Sequence, residues 1–147
     1  MTELIFTAEQ VAQIEREGVE AYPNECCGAI LGKDVAKGDK TQRIVHRLEP
    51  LKNSFEAEEQ FHRFSLSPKD LMRVEKQASD EKMSVLGFYH SHPDHPARPS
   101  EYDRTHGWPF YSYVIIAIAK GKPADLTSWQ LDDVTEQFRS EEITRQK

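Results

Sequence analysis

Cysteine is scarce: Cys26 and Cys27 are the only two among 147 residues, and sequence neighbours bond to each other only through a strained ring. Disulfides therefore do not hold this fold, and the free thiols agree with a reducing compartment. No apolar run approaches the ~20 residues that span a bilayer. The opening residues, MTELIFTAEQ, have neither the basic start nor the apolar stretch of a secretory leader. A cytoplasmic location is the expectation. A basic stripe is also missing: 19 Lys and Arg against 25 Asp and Glu give a net charge of −6. That balance argues against nucleic acid or an anionic membrane as partner and favours another protein. There is no internal repeat and no low-complexity linker.

What is present suits one domain over residues 1–147. With 37% apolar and 30% charged residues the chain is polar for a globular protein, yet it keeps enough aliphatic and aromatic side chains to fold. A chain of this length buries roughly 70% of the surface that its unfolded form exposes.

Thr7 as N-cap, with apolar Val11, Ile14 and Val19, predicts a helix over about 8–20 that Pro23 helps to end. CCGAILG (26–32) reads as a short strand, KDVAKGD (33–39) as a turn, and TQRIVHRLEPL (41–51) as an alternating strand with Ile44, His46 and Leu48 on one face. A polar loop (52–60) and a strand, FHRFSL (61–66), are expected next. Ser67 at the cap, Pro68 at the first helical position and Asp70 start a helix whose buried stripe is Leu71, Val74 and Ala78. MSVLGFYHSH (83–92) reads as a strand, PSEYDRTHG (99–107) as a short helix, YSYVIIAIA (111–119) as a central strand and ADLTSWQL (124–131) as another. The charged end, 135–147, is expected to fray. Such alternation predicts an α/β fold, a mixed sheet with helices on its faces.

The stretch GFYHSHPDHPARPSEYD (87–103) carries the chemistry. Alternate residues of a strand point the same way, so His90 and His92 project from one face with Cα atoms about 6.5 to 7 Å apart. Both imidazoles can then reach one ion, and imidazole suits zinc. Ser100 and Asp103, three apart on the following helix, share a face, and the proline-rich link can fold that helix back over the strand end. Two histidines and a carboxylate would leave a fourth tetrahedral position for water, the pattern of a catalytic zinc. Such a site also needs a base to take a proton from that water and pass it to a leaving amine.

Each feature alone has a plainer reading. A His-x-His pair is more often surface or core decoration, and Ser-x-x-Asp at a helix start is more often a capping box. Together they are harder to dismiss. At this composition the full spacing His-x-His-x7-Ser-x-x-Asp arises by chance about 0.001 times per chain.

With that spacing complete, the sequence resembles the JAMM, or MPN-plus, zinc metallopeptidases (Mov34/MPN/PAD-1-like), whose pattern adds an upstream glutamate. PNECCGAILG resembles the family's glutamate strand and would make Glu25 the general base. GFYHSHP would supply His90 and His92 as metal ligands. PSEYD would supply Asp103 as the third ligand and Ser100 as a donor that stabilises the tetrahedral intermediate. The resemblance covers about residues 8–131 and implies the single-domain JAMM/MPN (cytidine deaminase-like) fold, a mixed curved β-sheet flanked by helices, holding one zinc per chain. Without it, Glu25 would be one of sixteen glutamates.

The next expected strand begins only eight positions after Asp103, too close for the insert of chain-selective deubiquitinases. The compact length and the Glu-x-Cys-Gly pattern of Glu25, Cys27 and Gly28 look more like prokaryotic single-domain members. The resemblance therefore implies a peptidase or isopeptidase that cuts after a Gly-Gly-type tail of a ubiquitin-like or sulfur-carrier protein. The tail would be presented as an extended strand added at a sheet edge.

The alternative is a non-catalytic MPN-type binding module whose zinc is structural or vestigial, its fourth position filled by His95 or a cysteine. A zinc nucleoside deaminase would need His-x-Glu and Pro-Cys-x-x-Cys pairs that the chain lacks. His46, His62 and His106 are expected to play no direct part. His95 is a possible substrate contact, Cys27 a packing residue, and Trp108, Tyr111 and Tyr113 core or rim.

Overall fold

The computed structural model describes residues 2–51 and 68–146. The elements run β1 (Thr2–Thr7), α1 (Ala8–Ala21), β2 (Cys27–Lys37), β3 (Lys40–Leu51), α2 (Pro68–Asp80), β4 (Ser84–Pro93), α3 (Glu101–His106), β5 (Ser112–Ala119), β6 (Lys122–Leu131) and β7 (Phe138–Gln146). The expected loop over 52–60, the strand over 61–66, Ser67 and His62 lie outside the described residues.

Among the described residues the strands close into a barrel in the order β1, β3, β2, β4, β5, β6, β7. Three of the pairings are parallel, β1 with β3, β1 with β7 and β4 with β5, and the rest are antiparallel. Among the described residues, closure leaves no sheet edge that runs the length of the barrel.

Strand β5 fits its apolar run: Ser112 to Ile118 are all buried, as a strand covered on both faces requires. Its neighbour across the core is α1. Thr7 caps that helix in a capping box, accepting the Gln10 N–H at 3.1 Å while the Gln10 side chain accepts the Thr7 N–H at 2.9 Å. The buried stripe is Val11, Ile14 and Gly18, while Val19, assigned to that stripe from sequence, is exposed. Gly18 takes the place because β5 is close: a Cβ there would stand 2.8 Å from Ile118 Cδ1. Helix α2 covers the other side with Val74 and Ala78, and Leu71 packs partly buried beside them, as the spacing predicts.

Four expectations are corrected. Residues 2–7 form β1, whose Leu4, Ile5 and Phe6 are buried between β3 and β7; a run of three buried residues has no alternation to read. The stretch 33–39 is mostly strand, because Lys33 to Lys37 pair with β3 and only Gly38, at φ 63°, and Asp39 turn the chain. The face of β3 is not Ile44, His46 and Leu48: the β2–β3 register shifts at His46, so Val45 and Leu48 face the core and His46 faces solvent.

The charged end does not fray over 138–146. There β7 joins β6 to β1, with Glu141 buried and accepting from Ser128 Oγ at 2.7 Å and from Thr2 Oγ1. Neighbouring strands satisfy that charged segment, which no reading of the segment alone reveals.

Candidate metal centre

His90 and His92 lie on one face of β4, opposite Ile115 and Ala117 of β5, and are 1% and 7% exposed. The chain then turns at Asp94 in the left-handed region, φ 56°. Three bonds fix that turn: Asp94 N–H donates to the Ile118 carbonyl at 2.7 Å, and its carboxylate accepts from the Tyr22 hydroxyl at 2.6 Å and the Lys120 N–H at 2.7 Å. Farther along, Ala97 is buried with Ile115 and Ala117, against which the partly buried Trp129 packs, and its carbonyl accepts from Thr127 Oγ1 at 2.6 Å. So bolted, the proline-rich segment returns the chain over β4 and starts α3 at Ser100.

Ser100 and Asp103 form the capping box that their spacing allows. Asp103 N–H donates to Ser100 Oγ at 3.0 Å, and Ser100 N–H donates to Asp103 Oδ2 at 2.8 Å. The same Oδ2 stands 3.5 Å from His90 Nε2 and 3.5 Å from His92 Nε2, and the two Nε2 atoms are 3.1 Å apart. Capping and convergence on the histidines are thus compatible uses of one carboxylate. The Ser100 hydroxyl accepts in the cap and keeps its own hydrogen to donate.

Protonation suits ligation. His92 Nδ1 is 2.9 Å from the Pro96 carbonyl oxygen; a carbonyl only accepts, so that nitrogen carries the hydrogen and Nε2 keeps its lone pair. Burial pushes the His90 imidazole down, against the upward pull of Asp103. For Asp103, burial works upward, but the facing His90 and His92 imidazoles and the Ser100 N–H together hold the carboxyl well below the usual range.

The donor set fits zinc. Three ligands held by a tetrahedral ion at 2.0 to 2.1 Å stand about 3.3 Å from one another, and the edges here are 3.1, 3.5 and 3.5 Å. Among the described residues these three form the one cluster of His, Cys, Asp and Glu with metal-ligand spacing.

Glu25 arrives from another direction. The β2–β4 ladder begins at Cys27 opposite His90, and Glu25, two residues before it, lies close enough to Asp103 for their charges to interact. It is 6% exposed. Burial, with the Asp103 charge adding to it, raises its carboxyl from an ordinary 4.5 to about 9.

His46 and His95 are exposed and stand outside the cluster, and the His106 side chain lies outside the described residues. Cys27 is buried, its thiol 3.5 Å from the Leu51 carbonyl oxygen, which suits the packing role. Tyr113 is core and Trp108 is rim, at 8% and 59% exposed. Sequence reading missed the Pro96 carbonyl and the Asp94 anchor. Asp after Pro in a turn was a legible signal for the second; the first is backbone and leaves none.

Comparison with known proteins agrees with this geometry. Residues 7–132 match the family described as prokaryotic homologs of the JAB domain. A desampylase from Haloferax volcanii is 33% identical over 102 residues, 68% of each chain. The solution structure of a Desulfitobacterium hafniense protein aligns over 100% of this chain and 94% of its own, with 31% identity and a TM-score of 0.80. A crystal structure of a JAB1/MPN domain protein from Archaeoglobus fulgidus aligns over 98% of both chains at 16% identity and a TM-score of 0.57, a likeness of fold. With its mixed barrel, flanking helices and clustered His90, His92 and Asp103, the chain belongs to the compact prokaryotic JAB-domain branch of the JAMM/MPN family.

Proposed function

We propose that this protein is a zinc-dependent peptidase or isopeptidase that hydrolyses the amide bond after a Gly-Gly-type tail of a ubiquitin-like or sulfur-carrier protein. The observation that carries the reading is the convergence of His90 Nε2, His92 Nε2 and Asp103 Oδ2 with zinc-like edges, beside a buried carboxylate that ligates nothing in the cluster. Kinship with a desampylase supports an isopeptidase that acts on a ubiquitin-like modifier.

His90, His92 and Asp103 would hold the ion. Bound there, zinc supplies a Lewis acid and a water acidic enough to react near neutral pH. Glu25, buried and close enough to Asp103 to feel its charge, would serve as the proton carrier between water and the leaving amine. The Ser100 hydroxyl donates where negative charge develops on the scissile carbonyl oxygen. A tail of glycines suits a narrow cleft because only bare backbone can reach the site.

The binding-module alternative requires a fourth protein ligand. His95 is exposed, and the cluster takes in no cysteine among the described residues, which favours the catalytic reading. The test is a panel of ubiquitin-like and sulfur-carrier proteins joined through Gly-Gly to a reporter, incubated with the zinc-loaded chain. Release after the second glycine that stops with a chelator is expected; a zinc-loaded chain that cuts no member of the panel would overturn the proposal.

A further inference from the structure

Ser91 stands between the two histidines and points the other way. We infer that Ser91 is a positioning residue: by gripping the peptide that joins Glu25 to Cys26, it holds the proposed base at a fixed place relative to the metal ligands. The inference rests on the reading of Glu25 as base.

Strand alternation sends the Ser91 side chain to the face opposite His90 and His92, where it is fully buried at 0% exposure. Its Oγ accepts the Cys26 N–H at 2.8 Å, and its own N–H donates to the Cys26 carbonyl at 3.2 Å. The regular ladder starts only at Cys27 opposite His90. These two bonds carry the alignment one residue further, to the amide on which Glu25 hangs.

On its other side, Glu25 follows the turn in which Asn24 N–H donates to the Ala21 carbonyl at 2.8 Å, so it sits in irregular backbone with the Ser91 grip as its nearest tie to β4. Because Ser91 shares a tripeptide with both ligating histidines, whatever places the ligands places the grip. A second tie, the Tyr22 hydroxyl to Asp94 at 2.6 Å, joins the same two regions at the surface, where water competes. The Ser91 bond is part-buried, so water competes with it less than with the exposed Tyr22–Asp94 tie.

Alanine at 91 removes the acceptor and leaves a part-buried N–H without a partner, so the Glu25–Cys26 peptide is free to shift toward water. Displacement of a reacting group by about 1 Å lowers a rate by as much as ~10²-fold. Ser91→Ala should therefore keep its zinc and its KM while kcat falls roughly 10- to 100-fold.

The experiment reads three quantities in the full chain. Zinc stoichiometry follows the ligands; kcat and KM on an aminocoumarin amide of a ubiquitin-like protein's C-terminal Gly-Gly follow the base; amide hydrogen exchange at Cys26, in the metal-free protein, follows the grip without reference to activity. Faster exchange at Cys26 with the Ile115 and Ile116 amides unchanged, normal zinc, lower kcat, and recovery in Ser91→Thr, which keeps the oxygen, are expected. In a Glu25→Gln background Ser91→Ala should add nothing, because Ser91 acts through Glu25. If Ser91→Ala does not keep its fold, Ser91→Cys, a near-isostere with a weak acceptor, is read by the same criteria. Full kcat despite rapid Cys26 exchange overturns the inference, and so does loss of zinc. Full activity in Glu25→Gln alone instead removes the base on which it rests, a separate failure.

Discussion

His92 donates from Nδ1 to the Pro96 carbonyl oxygen, 2.9 Å away, and that bond leaves Nε2 as the ring nitrogen that faces Asp103 and His90. The loop between the histidine strand and the aspartate helix is therefore more than a spacer. It sets the tautomer of His92, through Pro96, and the position of the Asp103 carboxylate, through Ser100.

Metal retention follows from the three ligands. The reconstituted, dialysed chain should hold about one zinc, and Asp103→Ala or His92→Ala should lose it. Elemental analysis decides: a variant that binds as tightly as the parent would take that residue out of the ligand set.

Glu25→Gln should keep zinc and lower hydrolysis by ~10² to 10⁴, the scale for loss of a general base. Paired stoichiometry and kcat measurements separate this outcome from loss of the metal.

Folding of the metal-free chain should depend on the charge of Glu25. Its folded value, about 9, lies above the ordinary 4.5, so between those limits the folded state holds more protons than the unfolded one. The Glu25 contribution to stability is then fully present below about pH 4.5 and is lost as pH rises toward 9, by at most about 1.4 kcal/mol per pH unit. Denaturant titrations of chelator-treated protein across that window should show the decline, and Glu25→Gln should flatten it.

Gly87→Ala should cost the fold and, with it, the zinc. A Cβ at 87 would stand 1.8 Å from the Ser112 carbonyl oxygen, which is backbone of the paired strand β5 and cannot rotate away. Overpacking ordinarily costs about 1–3 kcal/mol, and a clash with backbone should reach or exceed that range. Thermal unfolding monitored by circular dichroism measures it.

His95→Ala should leave zinc stoichiometry and affinity unchanged, since His95 is exposed and outside the cluster. Weaker binding in a competition titration would revive the four-ligand binding module.

Legibility from sequence followed the range of the interaction. Helix α1 announced itself through Thr7, a local cap, and through Val11 and Ile14 at helical spacing, and α2 through Val74 and Ala78, whose spacing is also helical. Strand β1 did not, because Leu4, Ile5 and Phe6 are defined by partners at 41–44 and 142–146. Strand β7 failed to show for the same reason: Glu141 reads as a solvated charge until Ser128 and Thr2 close over it. The exposure of His46 turned on a register shift between two strands, invisible in either one.

The candidate site divides along the same line. The order of histidines, serine and aspartate, with strand and helix periods of two and about three and a half, determined by themselves that His90 and His92 share a face and that Ser100 and Asp103 meet. Only the tertiary structure decided that Asp103 Oδ2 reaches both imidazoles, that Glu25 lies buried within reach of the Asp103 charge, and that Ser91 holds the Glu25–Cys26 peptide. Those relations join residues 65 to 78 positions apart in the chain or cross a turn bolted to distant strands. Backbone hydrogen bonds and barrel closure set such distances, and local sequence periodicity carries no record of them.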